Sequence, residues 1–176
     1  MICNKVIDKD HIFSKNNGYI VDTNVLLSLY GNKRYSQQIN ENIKLKNATQ
    51  YYNRAIDCGC NIYVPAIVIS EFTNLFFKER WNELKSVDKA RYKDMKRDYR
   101  NTKQYEIDSD YIKEVIEKNI FSIAKPISDN FAEMSLDKMF KYDNDDFNDR
   151  LIINIANNNN LYVISADFDV KRIKIK

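Results

Sequence analysis

Four acidic side chains occupy positions at which a shared sheet edge would bring them together. Asp22 and Asp167 each follow a short run of β-branched and aromatic residues that is typical of a buried strand. Glu71 stands on a predicted helix entered from another strand, and Asp149 directly precedes a helix with an apolar stripe. Ligands of open α/β sheets bind at the carboxyl ends of the strands. Four carboxylates at that edge would hold a hard cation, Mg²⁺ or Mn²⁺, through oxygen ligands.

Each acid also has a purely structural interpretation. Asp22 is a good cap for the helix predicted to begin at residues 23–24. Glu71 is a lone helical glutamate that could sit at a rim, and Asp149 ends an acidic stretch, residues 143–149, that could be a solvated loop. That stretch lacks the glycine and the later glutamate of an EF-hand, which excludes a calcium loop. The recurrence of a carboxylate directly after a strand favours a shared site.

Composition excludes several other chemistries. His11 is the only histidine, and the 3 cysteines show no zinc spacing, so a catalytic site must use carboxylates. The 176 residues fit one domain, and 44% of them are hydrophobic, as in ordinary globular proteins. The sequence has no apolar run of bilayer length and no signal-peptide pattern. It therefore predicts a single cytoplasmic domain over residues 1–176 with no membrane partner.

The elements that must position the acids read as an α/β protein. Strands are predicted at residues 19–21, 61–64 and 161–164, and long helical segments separate them. Parallel strands require such crossovers, so we expect a three-layer α/β/α fold around a mostly parallel sheet. A further short strand is predicted at 120–124 and a helix at 128–139.

Two segments lie outside this core pattern. Residues 1–17 are polar and predict an N-terminal arm or short edge element, and residues 81–119 predict a longer, charged helical extension. Within that extension basic residues crowd positions 85–103 among tyrosines. This pattern fits either a solvated helical face or a basic wall, meaning a surface that binds the phosphates of a nucleic-acid backbone. On the second interpretation Arg91, Lys96 and Arg97 contact phosphates.

Four short motifs together resemble the PIN domain family, a metal-dependent ribonuclease fold related to FEN-type nucleases. They are Val-Asp-Thr-Asn-Val-Leu at 21–26, Ile-Ser-Glu at 69–71, Asp-Arg-Leu-Ile at 149–152 and Val-Ile-Ser-Ala-Asp at 163–167. Each motif is only a few residues around one acid, but their order and spacing match the family over residues 18–170.

The resemblance implies a site and a reaction. Asp22, Glu71, Asp149 and Asp167 take the places of the acidic quartet that binds Mg²⁺ or Mn²⁺. Asp146 lies one turn before Asp149 and would either be an additional ligand or orient one, with Asp145 as the alternative in this role. Asn24 and Ser165 would orient ligands. The implied activity is hydrolysis of phosphodiester bonds in single-stranded RNA, with exposed tyrosines stacking on unpaired bases. Small PIN domains further suggest the toxin of a toxin–antitoxin pair, with an antitoxin and a homodimer as partners.

Three other functions compete with the ribonuclease. A haloacid-dehalogenase-like phosphatase or phosphotransferase needs a second aspartate two residues after Asp22, where Asn24 stands. A receiver-like domain needs its phospho-accepting aspartate on a middle strand, whereas the predicted middle strand ends at Pro65. A catalytically inactive PIN-like module that binds RNA or protein remains open, although all four acids are present.

Overall fold

Four short parallel strands form the centre of the protein. A computed structural model describes residues 6–31, 43–140 and 146–166. The strands are β1 (Gly18–Val21), β2 (Asn61–Pro65), β3 (Ala124–Ile127) and β4 (Tyr162–Ile164). They lie in the order β3-β2-β1-β4, and every neighbouring pair is parallel. The predicted α/β fold with a parallel sheet is confirmed.

Helices connect and flank these strands. The described residues include α1 (Thr23–Tyr30), α2 (Ile43–Asp57), α3 (Ala66–Val87), α4 (Met95–Asp98), α5 (Lys103–Glu114), α6 (Leu136–Met139) and α7 (Phe147–Asn158). A π-helical turn, Val115–Ile120, extends α5, and a 3₁₀ turn, Phe131–Glu133, precedes α6. Along the chain, β2 and then β3 are added on one side of β1, whereas β4 is added on its other side. Because crossovers between parallel strands are generally right-handed, this reversal is the arrangement expected to put helices on both faces of the sheet.

Both faces of the sheet are buried, as expected for parallel strands that helices cover. Tyr19, Ile20 and Val21 are fully buried. A Cβ at Gly18, the first residue of β1, would lie 2.3 Å from Leu161 Cδ2 and 2.9 Å from Tyr63 Cε2. Any larger residue there would therefore require these two side chains to move.

The described part of the predicted N-terminal arm lies beside β4. Val6 forms a parallel bridge with Val163, and the Ile7 N–H donates to the Val163 carbonyl at 3.1 Å. Further along, His11 Nε2 lies 3.0 Å from the Tyr19 hydroxyl. The segment therefore continues the sheet edge and covers the aromatic start of β1.

The predicted strand at 120–124 is wrong in position. Residues up to Ile120 belong to the π-helical turn, and β3 instead runs over Ala124–Ile127. Pro126 discouraged a strand there because proline cannot donate to a ladder. β3 is the edge strand, however, and an edge position tolerates the missing N–H.

The predicted helix at 128–139 is also wrong. Asn130 adopts a left-handed backbone, with φ of 47°, and separates a 3₁₀ turn from the four-residue α6. Asp129 instead caps the neighbouring helix, since its carboxylate accepts from the N–H groups of Ala66 and Ile67 at 2.9 and 3.2 Å. This cap ties the segment after β3 to the start of α3.

The charged extension is packed onto the domain by one buried carboxylate. Asp108, on α5, is 5% exposed. It accepts hydrogen bonds from the Tyr99 hydroxyl at 2.7 Å, from Gln104 Nε2 at 3.0 Å and from Arg80 Nε at 3.3 Å. The extension therefore includes a buried polar network that joins α3 to α5.

Candidate active site

Asp22 lies at the carboxyl end of β1 and is almost fully buried. It is 4% exposed, and its extended backbone makes it the N-cap of α1. Its Oδ1 accepts from the Thr23 N–H at 2.7 Å, and its own N–H donates to the Ile164 carbonyl at 3.0 Å. The helix cap and the strand-end carboxylate predicted from the sequence are thus the same side chain.

The end of β4 meets Asp22 from the neighbouring strand. Ser165, 8% exposed, donates its hydroxyl to Asp22 Oδ2 at 2.7 Å. The direction of strand order reverses between β1 and β4, and this switch point is where open α/β sheets bind ligands. Asp167, two residues further on, lies outside the described residues, so its place in the site stays a prediction.

Glu71 approaches the same edge from α3. Its Oε2 accepts from the Thr23 hydroxyl at 2.9 Å, and its side chain is half-buried. Thr23 is 2% exposed and donates to both carboxylates, through its N–H to Asp22 and through its hydroxyl to Glu71. Sequence reasoning overlooked Thr23. The only available signal was a polar residue directly after a strand-end acid, at the first position of a helix.

Asp149 and Asp146 both lie at the start of α7. Asp146 is the exposed N-cap, with Oδ1 accepting from the Asn148 N–H at 2.9 Å, and Asp149 is half-buried in the first turn. The short connection from α7 to β4 places the start of α7 at the carboxyl edge of the sheet. Asn24 is exposed on the first turn of α1.

The described residues bring together part of the predicted metal site. Within 6–31, 43–140 and 146–166, no three histidine, cysteine or acidic side chains cluster closely enough to hold a metal ion. Asp22 and Glu71 are joined through Thr23, whereas Asp146 and Asp149 do not complete a cluster of three with them. The oxygen donors present suit Mg²⁺ or Mn²⁺. The full ligand set, including Asp167, therefore stays a prediction.

The basic extension differs from the predicted wall in two respects. Tyr92 and Tyr99 are buried, at 8% and 0% exposure, so these tyrosines are not available for stacking on bases. Arg97 is paired with Asp98, Nε to Oδ1 at 2.6 Å, and this contact holds the pKa of Asp98 below its usual range. Lys96 is exposed, and Arg91 lies over the Tyr92 ring at 5.4 Å.

A separate cavity of about 510 Å³ lies at the other end of α1. Gly31, which ends α1, lines it together with Phe76, Arg80, Asp108 and Tyr111, among others. Because Asp22 caps the opposite end of α1, this cavity is distinct from the carboxylate edge.

The described residues thus form an α/β protein with a parallel sheet and a buried acid, Asp22, at its switch point. The family model of the PIN domain matches residues 19–176, nearly the whole chain, and the protein therefore belongs to the PIN domain family. PIN domains are generally metal-dependent ribonucleases. No curated protein and no solved structure matches the chain. Among the described residues, no helix is long and apolar enough to cross a membrane.

Proposed function

We propose that the protein is a Mg²⁺- or Mn²⁺-dependent endoribonuclease that hydrolyses phosphodiester bonds of single-stranded RNA. One observation carries the proposal. Asp22 is buried at the switch point of the sheet. A second acid, Glu71, accepts a hydrogen bond from Thr23, the residue that follows Asp22. A buried carboxylate next to a second acid is costly unless a cation or donors compensate it.

Asp22, Glu71, Asp149 and Asp167 would hold the metal, with Asp146 as an additional ligand. When bound, a divalent ion polarises a phosphoryl oxygen and supplies a water of lowered pKa. The chain itself fixes the acids. Donors at 2.7 Å hold both oxygens of Asp22, and half-buried Glu71 can accept a hydrogen bond from an attacking water.

Single-stranded RNA is the proposed substrate because exposed aromatic rings lie near the start of α7. Phe131 and Phe140 are 53% and 68% exposed, and their ring centroids lie 6.4 and 5.4 Å from that of Phe147. Phe147 is two residues before Asp149. Unpaired bases can stack on such rings, whereas bases stacked inside a duplex cannot.

We further propose that the protein is the toxin of a toxin–antitoxin pair. Membership of the PIN domain family is the support for this role. An antitoxin protein and a second copy of this chain are the proposed partners. Co-purification with the product of an adjacent reading frame, and its effect on cleavage, would test the first of these.

A cleavage assay tests the proposed reaction. Labelled single-stranded and duplex RNA would be incubated with Mg²⁺, Mn²⁺ or EDTA, and p-nitrophenyl phosphate would be included as a phosphatase substrate. We expect cleavage of the single strand only, with either metal and not with EDTA. Hydrolysis of the phosphate monoester alone would instead support the phosphatase.

The Asp22→Asn variant locates the activity. Asparagine keeps an acceptor for the Thr23 N–H but removes the charge, so we expect cleavage to fall to the EDTA background while the fold is retained. Asp110→Asn, on the exposed side of α5, is the matched control and should cleave like the parent. Parental cleavage by Asp22→Asn would refute the proposed site, and RNA binding without cleavage by the parent would support the inactive module.

A further inference from the structure

We infer that Thr23 is a positioning residue that holds Glu71 in place to bind the metal ion together with Asp22. This inference rests on the proposed function, because it assigns to Thr23 a part in the same site. Its N–H donates to Asp22 Oδ1 at 2.7 Å, and its hydroxyl donates to Glu71 Oε2 at 2.9 Å. One residue thus fixes two acids that lie 49 positions apart.

The burial of Thr23 makes its hydroxyl specific to this bond. The side chain is 2% exposed, and a buried hydroxyl is unfavourable unless it is hydrogen-bonded. Threonine is branched at Cβ, so few χ1 rotamers are open to it in a helix. The hydroxyl is therefore held by the backbone of α1, and it presents a fixed donor to α3.

Glu71 needs such a donor because, unlike Asp22, it is not buried and surrounding atoms alone do not fix its side chain. Its side chain is half-buried on the second turn of α3, and glutamate loses substantial rotamer freedom when it is fixed. Repulsion from nearby Asp22 also favours turning the Glu71 carboxylate towards solvent. The Thr23 hydroxyl opposes that turn, so Glu71 is already oriented before a cation arrives.

Removal of the hydroxyl should therefore weaken metal binding more than it weakens the fold. Loss of a group that orients a metal ligand commonly lowers metal affinity or activity by about 10- to 100-fold. We expect Thr23→Val, which keeps the shape and removes the donor, to raise the dissociation constant for Mn²⁺ within that range. Thr23→Ser, which keeps the hydroxyl, should bind Mn²⁺ more like the parent.

Isothermal titration of the full chain with Mn²⁺ gives the readout without any cleavage step. Ser28→Ala is the matched control, because Ser28 lies on the same helix with a buried hydroxyl that donates to the Val25 carbonyl at 2.7 Å. It should bind Mn²⁺ like the parent. Thr23→Ala, which also removes the hydroxyl donor, gives the same comparison if Thr23→Val does not fold.

The outcomes separate the two proposals. Parental Mn²⁺ affinity in Thr23→Val, or equal losses in Thr23→Val and Ser28→Ala, would overturn the role of Thr23 while leaving the nuclease intact. A parent that neither binds Mn²⁺ nor cleaves RNA would overturn both. A Glu71→Gln background tests the route, since Thr23→Val should add no further loss of affinity there.

Discussion

Replacement of Asp108 should reveal how firmly the charged extension is attached to the domain. Its carboxylate accepts from Tyr99, Gln104 and Arg80, and it is 5% exposed. Burial, together with the bond to Asp108, raises the pKa of the Tyr99 hydroxyl, which therefore stays a neutral donor. For Arg80, burial lowers the pKa, but Asp108 and Glu83 outweigh that effect and raise it. Asp108→Ala leaves all three donors without this acceptor.

The magnitude follows from the burial of two of these donors, Tyr99 and Arg80. Tyr99 is fully buried, and a buried hydroxyl without its acceptor costs about 1–3 kcal/mol. Breaking a fully buried ion pair costs about 3–5 kcal/mol. That figure must be reduced here because the Arg80 side chain is 29% exposed and keeps Glu83 as a partner. We therefore expect Asp108→Ala to lower the free energy of unfolding by about 3 kcal/mol.

Urea denaturation followed by circular dichroism measures this loss, and thermal unfolding should show a Tm lower by about 6–12 °C. Asp108→Asn keeps an acceptor for Tyr99 and should lose only about 1–2 kcal/mol. Asp110→Ala, exposed on the same helix, is the control and should stay within about 0.5 kcal/mol of the parent. A loss below about 1 kcal/mol in Asp108→Ala would refute the reasoning, because leaving buried Tyr99 without its acceptor should alone cost at least that much.

Two further predictions concern pH and salt. Burial, aided by Arg54, lowers the pKa of His11 despite Asp8, so the unfolded chain binds a proton more readily than the folded one. The free energy of unfolding should therefore decrease as pH falls below about 6.5, and His11→Phe, which removes the only histidine, should flatten that dependence between pH 7.5 and 5. If Arg91 and Lys96 contact RNA phosphates, charge reversal at each should reduce the slope of log affinity against log salt by about 0.7. Arg97→Glu should change it less because Asp98 already neutralises Arg97, and unchanged binding in all three variants would indicate a solvated face.

The sequence was sufficient where a short-range pattern determines the structure. Asp22 could be placed at a strand end because the residues before it are apolar and those after it have helical spacing. The sequence could not show that Thr23 and Ser165 both donate to the Asp22 carboxylate. The Ser165 bond spans 143 positions and depends on the strand order. Glu71 remained ambiguous for the same reason, because only the packing of α3 beside α1 decides whether it faces a rim or an acid.

The errors in the sequence prediction came from local hydrogen bonds that compete with helices. Residues 81–119 were predicted to be a helical extension, yet α3 ends at Val87 and a stretch without a long helix follows up to α5. Asp88 accepts from the Arg91 N–H at 3.0 Å, and Asp98 accepts from the N–H groups of Lys93 and Asp94. Aspartate side chains that bond nearby N–H groups offer the backbone an alternative to the helix. Composition alone cannot show which of the two arrangements is more stable.

The pairing of β1 with β4 also determines when the site can form during synthesis. β1 is made well before its partner β4, which follows only after residue 161, and Asp22 has no Ser165 donor until then. Pairing strands so far apart in sequence carries a large loop-closure entropy and is slow to form. The helices between them can fold earlier from local contacts. A growing chain therefore lacks a completed acidic edge until β4 has been made and paired, so the proposed cleavage of RNA would begin only then.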